Sequence, residues 1–390
     1  MKRIFHFFVF LLYCLFLFCL YPFAKIALSH KKIWLISERK NEARDNGYSF
    51  FKYLNSEHKD INCFYVINSK SKDYDKVKSI GKVIDFGSFR HFLYFCAAKY
   101  IISTDTQSFC PNYYITLLRK KIHLPGKYVF LQHGITYNDQ VGLYKENAKI
   151  DLFICACRPE RDFILSKFGY SHNEAVLCGF ARFDNYFSPK IANTLLIMPT
   201  WRRWIKEESL LESEYYKKWI SFLNSIELND FLLKNNMKAY FYAHPLFQKY
   251  VSSFTSKSDN LIVASQDLYD IQKLLAESKI LITDYSSVFF DYAYMRKPIL
   301  FYHFDYEKFY SSHYKKGYFD FERDSLGLIA HNENELIDGI RFFESTNYNI
   351  GDKIKNTVES FFLDNDSKNS ERIYTKIVEL TKKGRKNNEN

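Results

Sequence analysis

The feature that most constrains this chain is an alternation of short, continuous apolar runs with stretches of helical spacing. The runs lie at Ile33–Ser37, Asn62–Ile67, Val83–Phe86, Tyr100–Ser103, Tyr128–Gln132, Leu152–Cys157 and Ala175–Cys178. Helical patterns fall between several of them, at Tyr48–Ser56, His91–Ala98 and Pro159–Phe168, the last with proline in its first turn. After a break over Phe187–Asn193, a second series follows: Leu195–Met198, Ala239–Ala243, Leu261–Ala264, Ile280–Thr283 and Ile299–Tyr302. Its helices are expected near Glu214–Lys234, Asp270–Glu277, Ser287–Met295 and Glu333–Glu344. Strands that are apolar throughout belong to parallel sheets covered by helices on both faces. Two such series predict an α/β chain of two doubly wound, Rossmann-like domains facing each other across a cleft. Ligands in such folds bind at the carboxyl ends of the strands, so the informative residues are those just after them.

The N-terminus stands apart. Residues 4–24, IFHFFVFLLYCLFLFCLYPFA, are apolar on every face and long enough to cross a hydrocarbon core of about 30 Å. No small-x-small cleavage pattern follows, so the reading is a membrane anchor helix. Lys2 and Arg3 precede it, whereas Lys25, Lys31, Lys32, Arg39 and Lys40 follow, which places the large domains on the cytoplasmic face. Asn112–Lys127, with Arg119, Lys120 and Lys121, reads either as a second membrane-surface contact or as a solvated loop.

Hydrophobic residues at 47% and charged ones at 25% exclude a disordered or collagen-like chain. The net charge of +11 is concentrated in the first half, where residues 1–190 hold 28 Lys and Arg against 16 Asp and Glu. Such a half suits an anionic membrane surface or a polyanionic substrate. No nucleic-acid-binding motif accompanies it, so no nucleic acid partner is expected. The eight cysteines form no CxxC pair, and Cys155 and Cys157 read as buried free thiols. No metal or other cofactor is expected. The DxD at Asp364–Asp366 sits in a hydrophilic loop and reads as a cap for the last helix.

Four segments follow strands and carry chemistry. YVFLQHGIT (128–136) delivers His133, able to act as base or donor, and Gly134, which lets a ligand approach the backbone. MPTWRR (198–203) brings Thr200 and Arg202; a guanidinium fork suits phosphate. FYAHP (241–245) ends a strand with His244. ILITDYSSVFFD (280–291) carries Thr283, Asp284, Ser286 and Ser287, where hydroxyls and free helix amides would form an anion site. Each alone has a plain structural alternative: a turn histidine, a solvated arginine or a serine cap. GxGxxG, GxxxxGK[ST] and GxSxG are all absent, which removes the usual support for hydride transfer, ATP hydrolysis and serine hydrolysis.

ILITDYSSVFFDYAYMRKPILFYHFD (280–305) resembles the signature of the CDP-glycerol glycerophosphotransferase family, which contains the teichoic acid primases and polymerases. The resemblance extends through KKIWLISERKNEARDNGYSFFKYL (31–54), LQHGIT, GFARFD (179–184), PTWR, AHP, KKGYFDFERDSLG (315–327) and DNDSKNSERI (364–373). It implies a GT-B architecture and transfer of a polyol phosphate from CDP-glycerol or CDP-ribitol to a hydroxyl of a lipid-linked or polymer acceptor, with release of CMP. It implies a division into an anchor helix over 1–28, an acceptor- and membrane-facing domain over 29–190, a CDP-donor domain over 191–380 and a polar tail over 381–390. It further implies that His133 is the catalytic base with His244 its partner across the cleft. Thr283, Ser286 and Ser287 would hold the pyrophosphate, with Arg182, Thr200 and Arg202 adding contacts and Asp284 fixing the loop or touching the donor. Two other readings stay open on the residues alone: a GT-B glycosyltransferase using a nucleotide sugar, and a membrane-tethered binding protein.

Overall fold

The structure, a computed structural model, describes residues 2–122, 126–187, 190–363 and 366–386. The chain forms two compact units, each built around a parallel sheet. The first comprises Met1–Ile135, Val141–Asp184 and Asp366–Asn390; the second comprises Thr136–Gln140 and Asn185–Asn365.

In the first unit the strands are β1 (Trp34–Ser37), β2 (Cys63–Ile67), β3 (Val83–Asp85), β4 (Tyr100–Ser103), β5 (Lys127–Phe130), β6 (Leu152–Cys155) and β7 (Ala175–Leu177), in the order β3-β2-β1-β4-β5-β6-β7. Every pairing is parallel. The chain reverses its direction of winding between β1 and β4, so the crevice lies at their carboxyl ends.

The N-terminal helix, Lys2–Leu28, lies along this unit. Leu17, Leu20, Ala24 and Leu28 bury themselves in a cluster with Phe92, Phe95 and Cys96. Tyr13 stacks on Phe92 and on Tyr114, at 6.1 and 5.3 Å between ring centres. The opposite face leaves Phe5, Phe8, Leu12, Leu15, Phe18 and Phe23 exposed. Tyr114 belongs to a helix over Tyr113–Lys121, capped by the Asn112 side chain, within the stretch expected to be a loop or surface contact. The cap and the apolar face turned to the N-terminal helix make it helical.

The last helix, Asn369–Lys386, also packs in the first unit, whereas the sequence reading carried the second domain to residue 380 and a tail beyond. Ile373 and Ile377 enter the core beside Trp34 and Phe50. The Asp184 carboxylate accepts from the backbone N–H groups of Asn369 and Ser370, and Arg372 Nε donates to Cys178 O. GFARFD and the C-terminal motif, almost two hundred residues apart, therefore meet. Gly179 makes this approach feasible: its φ is +79°, and a Cβ there would collide with the Asn369 side chain. Asp364 of the DxD lies outside the described residues, while Asp366 accepts from Arg372.

The second unit holds β8 (Thr194–Met198), β9 (Lys238–Phe241), β10 (Leu261–Val263), β11 (Ile280–Thr283), β12 (Ile299–Tyr302) and β13 (Leu328–Ala330), all parallel in the order β10-β9-β8-β11-β12-β13. Here the winding reverses between β8 and β11. The helix expected over Glu214–Lys234 is two, Glu214–Leu223 and Ile226–Lys234, because the Ser225 side chain accepts from Leu228 N and starts a new helix. Thr136–Gln140 is a strap of this unit: Tyr137 donates its hydroxyl proton to Tyr285 O at 2.5 Å, and Asp139 pairs with Lys315.

Candidate active site

In the first unit, the residues beneath the β1–β4 crevice are buried and tied together. Glu38 follows β1 and accepts N–H bonds from Arg44, Asp45 and Tyr48. Burial, with Asp45 adding to it, pushes its carboxyl up to about 8. Asn46 donates to Leu131 O and Gln132 O, and its own side-chain oxygen accepts from Arg182 N. Gln132 adopts φ +59°, a conformation unfavourable for a residue with a side chain. It is held there by bonds from its amide to Ile154 O and Glu160.

This scaffold leaves the side chain of His133 exposed. Its Nδ1 lies 3.4 Å from Thr104 O. A carbonyl only accepts, so this contact suits the tautomer with its proton on Nδ1, in which Nε2 is the basic nitrogen. Arg182, only 4% exposed, donates from Nη1 to Asp45 at 2.7 Å and to His133 O at 3.3 Å. It was expected to contact phosphate. These bonds brace the His133 loop against Asp45. Gly134 follows, half-buried.

In the second unit, the loops after β8 and β11 close on a buried ion cluster. Arg202 is wholly buried. It donates from Nε and Nη2 to Asp305 at 2.7 and 3.0 Å and from Nη1 to Thr200 O, and Nη1 lies 2.8 Å from Asp284 Oδ2. Burial opposes its charge, but the two carboxylates outweigh burial and raise its pKa. Asp284, equally buried, is raised by burial despite Arg202 and accepts from the backbone N–H groups of Thr200 and Tyr285. The Tyr285 hydroxyl completes the cluster on Asp305 at 3.1 Å. Arg202 was expected at the donor and Asp284 either there or fixing the loop; every guanidinium nitrogen of Arg202 is engaged inside the protein, and Asp284 holds the backbone of Thr200 and Tyr285. The Thr283 hydroxyl donates to Met198 O at 2.6 Å and ties β11 to β8.

Ser286 and Ser287 are half-exposed on top of this cluster. The helix they were expected to open starts only at Phe289, has six residues, and has no side-chain cap. The amides of Phe289, Phe290 and Asp291 turn back to the carbonyls of Ser286, Ser287 and Val288, so the helical turn begins at the two serines. Thr200 Oγ1 is buried without a partner. His244 follows β9, half-buried, its ring centre 6.2 Å from that of Trp201.

The sequence reading thus found the loops but missed the residues that hold them. Asp45 and Asn46 lay inside the quoted KKIWLISERKNEARDNGYSFFKYL segment, and a carboxylate shortly after β1 was the available signal. Asp305 closed the central signature without being singled out. Among the described residues, no three His, Cys, Asp or Glu side chains converge as metal ligands.

Comparison with known proteins extends the picture beyond the residues. Residues 19–379 match the family described as CDP-glycerol:poly(glycerophosphate) glycerophosphotransferase. The minor teichoic acid biosynthesis protein GgaB of Bacillus subtilis is 34% identical over 367 residues, covering 90% of this chain; the chain spans 40% of GgaB's length. The teichoic acid glycerol-phosphate transferase of Staphylococcus aureus is 25% identical over 341 residues, covering 80% of this chain and 84% of that protein. The fold is that of the wall teichoic acid polymerase TagF, with a TM-score of 0.69 at 18% identity over 91% of this chain and 90% of TagF. With both parallel sheets, the His133 loop and the TDYSS turn inside the matched region, the chain belongs to the CDP-glycerol:poly(glycerophosphate) glycerophosphotransferase family.

Proposed function

We propose that this protein transfers glycerol phosphate, or the related ribitol phosphate, from a CDP-polyol to a hydroxyl of a lipid-linked or polymer acceptor at the cytoplasmic membrane, in the making of a teichoic acid or a related surface polymer. The observation that carries the reading is His133: exposed, with Nδ1 turned to Thr104 O, and set on a buried scaffold. TagF has been soaked with CDPG in a variant with one histidine replaced, which supports the donor class.

The acceptor hydroxyl gives its proton to His133 Nε2 as its oxygen attacks the phosphorus that bears the polyol. A new P–O bond forms, the bond to the CMP oxygen breaks, and CMP leaves. Phosphoryl transfer of this kind needs positioning and charge stabilisation more than covalent participation. Ser286, Ser287 and Thr200 supply hydroxyl donors for the diphosphate, and His244 stabilises its charge. Arg202, Asp284 and Thr283 keep that turn rigid, and Arg182 does the same for the His133 loop.

The N-terminal helix supports the membrane assignment. It is apolar enough to enter a bilayer, and its outer face carries large exposed side chains while its inner face is docked on the first unit. We assign that outer face to the membrane. Incubating the purified protein with CDP-glycerol, CDP-ribitol and UDP-sugars, and following released nucleotide, tests the reading. CMP released from a CDP-polyol supports it; UDP release alone overturns it.

A further inference from the structure

His313 lies beyond the residues assigned so far. It ends the helix Tyr306–Ser312 of the second unit and is 4% exposed. Its ring stacks on Phe309 at 4.8 Å and meets Trp201 edge-on at 4.8 Å, and the same Trp201 ring neighbours His244. His313 Nδ1 accepts the backbone N–H of Arg203 at 3.0 Å. An imidazole nitrogen that accepts carries no proton, so the neutral ring holds its proton on Nε2. Burial first, then the positive charges of Arg203, Arg202 and His244, lower its pKa to about 3, which keeps the ring neutral at physiological pH. Nε2 is buried with no hydrogen-bond partner. An unsatisfied buried donor is costly.

We infer that His313 is a donor-binding residue: its Nε2–H donates to a non-bridging phosphate oxygen of the CDP-polyol, in the subsite shared by His244 and Thr200. A neutral donor holds the phosphate without competing for the proton that His133 must take. This inference rests on the proposed CDP-polyol reading.

The test is calorimetric binding of CDP-glycerol and CDP-ribitol to the full chain and two variants. His313→Asn keeps an acceptor for the Arg203 N–H but has nothing at the Nε2 position; His313→Gln places an amide donor there. His313→Asn should bind about 10- to 100-fold more weakly, as for a lost hydrogen bond to a charged group, and His313→Gln should stay within about threefold of wild type. A folded His313→Asn with wild-type affinity overturns the inference while leaving the CDP-polyol reading intact. A wild-type protein that binds neither CDP-polyol overturns both. Should His313→Asn not fold, nitrogen-15 histidine spectra of the wild type decide. An Nε2–H signal from His313 that shifts and becomes protected from exchange on adding CDP-glycerol supports the inference; an unchanged signal under saturating donor overturns it.

Discussion

Replacing Arg202 with methionine separates a scaffold from a ligand contact. Asp284 and Asp305 already place two carboxylates around one guanidinium with no solvent access. Methionine fills most of the volume but leaves both carboxylates buried without a cation. Breaking a buried ion pair in this way costs about 3–5 kcal/mol. That is a large share of the roughly 5–15 kcal/mol that keeps a typical domain folded. Urea unfolding followed by tryptophan fluorescence reads the effect where it occurs, because Trp201, Trp204 and Trp219 lie in the second unit. The second unit should unfold at a markedly lower urea concentration. Adding Asp284→Asn and Asp305→Asn should restore part of the loss by removing the stranded charges. An unchanged unfolding midpoint together with lost CDP-glycerol affinity would refute the reasoning and return Arg202 to the phosphates.

Gly179→Ala should lower the stability of the first unit by about 1–3 kcal/mol, since φ +79° and the Asn369 side chain both exclude a Cβ; an unchanged midpoint in thermal unfolding would contradict the tight approach of Gly179 to Asn369. His91 is buried, accepts from Gly87 N and contacts Phe109 O, and burial lowers its pKa to about 4. The unfolded chain therefore binds the extra proton between about pH 6.5 and 4, so stability present above 6.5 is lost on acidification by up to about 1.4 kcal/mol per pH unit. His91→Gln should flatten urea midpoints over that range, and a wild-type-like slope in the variant would contradict the assignment. Changing Phe8, Leu12 and Leu15 together to serine should release the folded protein from membranes in flotation. Deleting the whole helix should instead yield aggregated protein, because Phe92, Phe95 and Cys96 lose their cover.

The sheets were legible because buried parallel strands are written as continuous apolar runs, and each run named from the sequence overlaps a strand. β13 was not seen: it has three residues, sits at the sheet edge and is only partly buried, so its apolar signal is short. His133, His244 and Ser286 could be named as candidates because they follow strands. The part played by Arg202 could not, since its partners are 82 and 103 residues away in sequence and nothing local distinguishes a buried guanidinium from an exposed one. Tautomers were equally out of reach: only the position of Thr104 O shows which nitrogen of His133 is left to act.

The central claim is that His133 takes the acceptor proton during transfer. The direct measurement is acceptor-dependent CMP release from saturating CDP-glycerol by wild type and by His133→Ala, with donor affinity measured on the same preparations. Loss of a general base costs about 10²–10⁴ in rate. The account predicts that loss in the variant with donor affinity within about threefold of wild type. Near-normal CMP release by folded His133→Ala would contradict it.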